Sequence, residues 1–137
     1  GGYNLICAIK KYLDEKGIEY KDFGTNSSES CDYPIIASDV ANAVSNGTCD
    51  RGILICGSGV GMSIAANKIK NIRAAVCNDI ETAKLSRLHN NINILCMGSR
   101  MISFEKMKEI LDIFLNTIFE GKRHQTRIDQ IKKLENN

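Results

Sequence analysis

The chain has 137 residues, 43% of them hydrophobic and 25% charged, with a formal net charge of +2. That length suits one domain with one core, and so small a charge gives no reason to expect nucleic acid as a partner. No apolar run approaches the roughly 20 residues of a membrane-spanning helix and no signal peptide is visible, so neither a membrane nor a secretory role is expected.

In chain order, Leu5, Ile6, Ile9 and Leu13 recur at helical spacing, which predicts a helix over 3–16 with Gly17 as its stop. Ile18 to Phe23 alternates like a strand, and Gly24 to Ser30 is a polar loop. Pro34 opens a second helix marked by Ile36, Val40 and Val44. A continuous apolar strand follows at 52–56, then a helix at about 62–70. The pattern repeats with a strand at 73–77, a helix at about 79–88 and a last strand at 93–97. A long helix is predicted over 103–119, then a break at Gly121 and a charged terminal helix near 126–135. Strands alternate with helices, and the central strands lack polar alternation. That pattern predicts a parallel sheet covered on both faces. Such a fold starts with a strand, yet this chain opens almost directly into a helix. The expectation is therefore that an N-terminal strand is missing from it.

Cys7, Cys31, Cys49, Cys56, Cys77 and Cys96 are scattered, with no Cys-x-x-Cys pair. Three of them lie on or beside apolar strands, where free cysteine acts as a small hydrophobe. Free thiols in a reducing cytoplasm are expected rather than a disulfide scaffold. Neither His89 nor His124 has the spacing of a paired zinc ligand, so no metal is expected.

The most informative stretch is Cys56-Gly57-Ser58-Gly59-Val60-Gly61. It reads as strand, glycine-rich turn and helix, and it sits at a strand's carboxyl end, where such folds bind ligands. Its backbone N–H groups near a helix start suit an anion. A positive field of that kind favours a reactive thiolate at Cys56. The turn matches neither a Walker loop, which needs Gly-Lys-Ser/Thr, nor the Gly-x-Gly-x-x-Gly dinucleotide fingerprint. A cysteine phosphatase loop would want an arginine where Met62 stands. The plain alternative is a tight turn with an inert cysteine.

Three other segments carry polar chemistry. His89, closing a helix at Ser86 to Asn91, has a side chain suited to proton transfer near neutral pH, or it is simply a cation favoured by the helix C-terminus. Arg123 and Arg127 stand four apart, so on a helix they face one way and suit a phosphate; a solvated basic helix start is the alternative. Cys31-Asp32-Tyr33-Pro34 offers a carboxylate and a phenol, though a helix-entry turn explains it equally.

Taken together, these segments resemble the B-type ribose-5-phosphate isomerases, in the family shared with galactose-6-phosphate isomerases. The matching stretches are Gly1-Gly2-Tyr3, the Gly24-Thr25 loop with Asp32-Tyr33-Pro34, and Gly52 through Lys68. They continue with Leu85 through Asn91, Gly98-Ser99-Arg100, and Gly121 through Arg127. The resemblance implies a Rossmann-like three-layer α/β/α fold and a homodimer or tetramer with active sites at the subunit boundary. It implies Cys56 as catalytic base and His89 as the residue that assists ring opening. Asn90 and the amides of Gly57, Gly59 and Gly61 would surround the enediolate. Arg100, Arg123 and Arg127 would hold the phosphate, and Asp32 and Tyr33 would contact substrate. Ser58 stands where many members carry Thr and keeps the hydroxyl. The family's first strand, with its Asp-His, is absent here.

The expectation from sequence is one sugar-phosphate isomerase domain over 1–137, with the C-terminal helix 122–137 docking on a partner subunit. Its activity would be aldose–ketose isomerisation of ribose 5-phosphate and ribulose 5-phosphate, without a cofactor. The alternatives are a six-carbon substrate, such as allose or galactose 6-phosphate, and a non-catalytic sugar-phosphate binder.

Overall fold

The computed structural model describes residues 2–24 and 33–136. Three parallel strands, β1 (Gly52–Cys56), β2 (Ala74–Val76) and β3 (Ile94–Gly98), form a sheet in the order β1-β3-β2. Six helices are described with them: α1 (Gly2–Glu15), α2 (Tyr33–Ser45), α3 (Val60–Ala66), α4 (Ile80–Leu88), α5 (Phe104–Asn116) and α6 (Arg123–Lys133), the last followed by a 3-10 turn.

Strand β3 lies between the other two and is buried along its whole length. Successive side chains of a strand point to opposite faces. Leu95 and Met97 accordingly join Ile55 in a cluster with Ile9 and Leu13 of α1 and Met107, Ile110, Leu111 and Phe114 of α5. Ile94 and Cys96 join Leu54 in a second cluster with Ala37, Val40, Ala41 and Val44 of α2 and Met62 and Ala66 of α3. The result is the expected three-layer α/β/α arrangement. Burial pushes the Cys96 thiol up to about 12, so it behaves as a hydrophobe. Gly52 permits a close approach of α2 to β1: a Cβ there would lie 2.7 Å from Val40 Cγ1. Among the described residues, no helix is long and apolar enough to cross a membrane.

Several boundaries differ from the sequence expectation. Residues 18–23 form no strand. Ile18 packs on the first core cluster and Phe23 on the second, so the segment carries the chain from one layer to the other and no described strand pairs with it. Its alternation reflects that crossing rather than a half-buried strand. Helix α3 stops at Ala66, because the Asn67 side chain leaves the helix to bond Ala74 N and O at 2.8 and 2.9 Å. Helix α5 stops at Asn116, where Thr117 turns extended at ψ 123. Helix α6 starts at Arg123, three residues earlier than its charge pattern indicated, after Gly121 and Lys122 at φ 75 and 53.

Candidate active site

The site grows from the carboxyl ends of β1 and β3. Beyond Cys56 the chain turns sharply: Gly59 takes φ 86, a left-handed conformation that favours glycine, and caps α3. The turn folds back on its own cysteine, and Gly59 N–H donates to Cys56 Sγ at 3.2 Å. Val60 N–H donates to Ser58 Oγ at 3.2 Å, and among the described residues the Ser58 hydroxyl proton has no acceptor. Among the described residues, the N–H groups of Gly57, Ser58 and Gly61 have no protein acceptor. The half-buried Cys56 therefore stands beside several unspent backbone donors.

The loop after β3 locks this turn. Ser99 N–H donates to Cys56 O at 2.7 Å, and Arg100 N–H donates to Gly57 O at 3.0 Å. The loop and turn touch so closely at Gly98 that a Cβ would lie 2.7 Å from the Ser58 carbonyl carbon. The side chain of the exposed Arg100 lies over Gly57, within 3.6–3.7 Å of where a Cβ would be. Asn78, at the end of β2, ties the two loops: its amide donates to Ser58 O at 3.2 Å and accepts from Gly98 N–H at 2.8 Å. The Tyr33 ring covers Gly61, where a Cβ would come within 2.7 Å of the phenol. Cys56, Gly57, Ser58, Gly59, Gly61, Arg100 and Tyr33 are thus gathered in one place. Asp32 lies outside the described residues. Asn78 was overlooked; its position at a strand's carboxyl end, before the Asp79 cap of α4, was the signal that pointed to it.

The other expected residues form a second group at the end of α4. His89 closes α4. Its ring stacks on that of His124, with centroids 4.2 Å apart and planes 13° from parallel. His124, in the first turn of α6, is buried, and its Nε2 lies 3.5 Å from Glu120 Oε2. Glu120 is held in turn by its N–H donating to Leu88 O at 3.1 Å. Burial, then the neighbouring His89 and Arg123, hold the His124 pKa below the ordinary histidine value. Asn90 is exposed beside His89, and Arg123 and Arg127 project from α6 into solvent. Beneath the group, buried Arg87 donates to Thr117 O, Asn91 Oδ1 and Ile92 O at 3.1, 2.8 and 2.7 Å. It ties the turn after α4 to the segment after α5. Among the described residues, no hydrogen bond, ion pair or ring contact joins this group to the glycine turn.

The first group sets the Cys56 sulfur beside free backbone donors, which is the arrangement for moving a proton next to a developing oxyanion. The second combines imidazoles with exposed arginines, which suits a phosphorylated ligand.

Known proteins carry the same organisation. The family model described as Ribose/Galactose Isomerase matches residues 1–131. The ribose-5-phosphate isomerase B of Escherichia coli is 51% identical over 134 residues, spanning 98% of this chain and 90% of that protein. The solved ribose-5-phosphate isomerase B of Clostridium thermocellum superimposes with a TM-score of 0.97 at 48% identity, covering 99% of this chain and 92% of that one. The enzyme of Mycoplasma genitalium, solved with bound ribulose 5-phosphate, gives 0.94 at 43% identity, covering 99% and 91%. The chain belongs to the ribose/galactose isomerase family.

Proposed function

We propose that this protein interconverts ribose 5-phosphate and ribulose 5-phosphate through an enediolate. The observation that carries the reading is Cys56 Sγ at the lip of the glycine turn, held by Gly59 N–H at 3.2 Å with unspent amides beside it. Relatives at 43–51% identity named as this isomerase support the substrate, one of them with ribulose 5-phosphate bound.

His89 assists opening of the furanose by proton transfer at the ring oxygen. The Cys56 thiolate then takes the proton from C2. The electrons of that C–H bond form the C1–C2 double bond, and negative charge collects on O1. The N–H groups of Gly57, Ser58 and Gly61 stabilise that charge. The Cys56 thiol returns the proton to C1 as the O2 proton passes to O1, which leaves the ketose. Ser58 Oγ, whose proton has no acceptor among the described residues, is suited to carry that transfer. Asn90, Tyr33 and Asp32 contact the sugar, while Arg100, Arg123 and Arg127 hold the phosphate. Binding energy from the phosphate thereby orients the distant reacting carbons.

The chain acts as one isomerase domain over 1–137 and assembles as a homodimer or tetramer with shared sites in the cytoplasm. Two observations support sharing. Val60 and Ile64 of α3 and Met101 leave apolar surface exposed around the glycine turn. Helix α6 buries only His124 and Ile128, so segment 122–137 has much surface left for a partner.

The family name includes galactose, and a six-carbon phosphate is the second reading. The deciding test is an isomerase assay with ribose, allose and galactose 5- or 6-phosphates side by side. Turnover highest on ribose 5-phosphate is expected. Turnover favouring a six-carbon phosphate would establish the second reading, and binding without isomerisation or C2 proton exchange would make the protein a sensor.

A further inference from the structure

One peptide group links Cys56 to a residue from another strand end. The Ser58 carbonyl and the Gly59 N–H belong to the same planar unit and point in opposite directions. That N–H donates to Cys56 Sγ, and that carbonyl accepts from Asn78 Nδ2, each at 3.2 Å. Asn78 Oδ1 accepts from Gly98 N–H at 2.8 Å. A backbone N–H only donates and a carbonyl only accepts, so these two partners fix which way round the Asn78 amide stands. Gly59 leaves the peptide otherwise free to turn over. Its φ of 86 and ψ of −14 match the third position of a type II turn. Rotating the preceding peptide by about half a turn gives type I, in which the Ser58 carbonyl and the Gly59 N–H exchange directions. Glycine tolerates both forms, and in the second the N–H points away from the sulfur.

We propose that Asn78 is a positioning residue for Cys56, acting through the Ser58–Gly59 peptide. By holding the carbonyl it keeps the Gly59 N–H on the sulfur. By polarising the same peptide it strengthens that N–H as a donor. The thiolate gains most, because a donor favours the charged form of its acceptor. Arg100, Tyr33 and Cys96, the ionisable groups described beside the turn and its cysteine, belong to other elements and are untouched by a change at Asn78. The consequence for isomerisation rests on Cys56 as the base proposed above, whereas the effect on the sulfur does not.

Wild type and Asn78→Ala should be compared by the pH dependence of alkylation with iodoacetamide. Modification is read at Cys56 by peptide mass spectrometry, so that the exposed Cys7 does not contribute. Losing the worth of one hydrogen bond should move the midpoint up by roughly half to one pH unit. Turnover of ribose 5-phosphate should fall about 3–10-fold with KM nearly unchanged, since the bond matters most when the thiolate reacts. Asn78→Ser is neutral and suited to a turn, yet too short to bridge the two loops, and it should give the same shift even where the alanine variant unfolds. A purely structural role would lower the melting temperature but leave the midpoint and kcat of the folded protein unchanged, and that result would overturn the proposal. A shifted midpoint in a protein whose wild type does not isomerise ribose 5-phosphate would uphold the positioning and contradict the functional reading. An unmoved midpoint beside an active wild type would do the reverse.

Discussion

The glycine turn is held chiefly by backbone bonds, with the Asn78 side chain added, whereas the corner at the end of α4 is held chiefly by side chains, with one backbone bond from Glu120 to Leu88. Around Cys56, the Gly59 amide bonds the cysteine sulfur of its own turn, the Ser99 and Arg100 amides of the facing loop donate to Cys56 O and Gly57 O, and Gly98 allows the two loops to touch. Around His89, a ring stack, one buried histidine and a buried arginine fix the geometry. The first arrangement follows from where parallel strands end. The second depends on how helix ends meet, which is a matter of tertiary packing. A rigid backbone cradle suits a charge that develops in the same place each turnover, while stacked and exposed side chains suit a ligand group that enters and leaves.

Removing the thiol from the backbone-built region should have the largest effect. Cys56→Ala should lower turnover by about 10²–10⁴-fold or more, the usual worth of a general base. Circular dichroism should remain unchanged, since no described core contact is lost beyond one half-buried thiol. Retention of near wild-type turnover would return the glycine turn to a purely structural role.

Gly98→Ala attacks the same region through its geometry. The new Cβ meets the Ser58 backbone at 2.7 Å, and backbone cannot swing aside as a flexible side chain does. Overpacking of this kind costs about 1–3 kcal/mol. Thermal unfolding should shift downward and activity should fall with it. An unshifted melt with full activity would show that the two loops are not locked.

A gentler effect is expected at the side-chain-built region. Arg127 is exposed and makes no described ion pair, so Arg127→Ala should leave the melting temperature unchanged. One charge-assisted contact is worth about 1.5–3 kcal/mol, which corresponds to a KM raised about tenfold or more. An unaltered KM for ribose 5-phosphate would remove Arg127 from the phosphate site.

The smallest effect concerns pH. Burial and neighbouring cations lower the His124 pKa in the folded state. As pH falls through the ordinary histidine value, the unfolded chain takes up a proton before the folded chain does. Stability should therefore decrease between about pH 6.5 and the lower folded value, then level off. Urea unfolding across that window should show the decrease in wild type and lose part of it in His124→Gln. An identical profile in both would place the titration elsewhere.

The contrast between the regions also explains what could be read in the sequence. The apolar run Gly52–Cys56 followed by glycines announced a strand end and a turn, whereas the approach of Tyr33 and Arg100 to that turn is a matter of tertiary packing. The strand expected at 18–23 failed because alternation there comes from crossing between two core faces. The early start of α6 was hidden because only His124 and Ile128 face inward, too few to show a period. Glu120 carried no signal in sequence; it matters only because a backbone bond to Leu88 sets it beside two histidines.

We propose that the two regions, which no contact joins among the described residues, complete each other across a subunit boundary. Mixing Cys56→Ala protein with an Arg123→Ala/Arg127→Ala double variant tests it most directly. In a heterodimer with shared sites, one site carries every lesion and the other none. Activity at low ribose 5-phosphate should therefore rise well above that of either variant alone as subunits exchange. Activity that stays at the level of the unmixed variants after confirmed exchange would mean that the arginines serve their own subunit's Cys56, and would contradict the account.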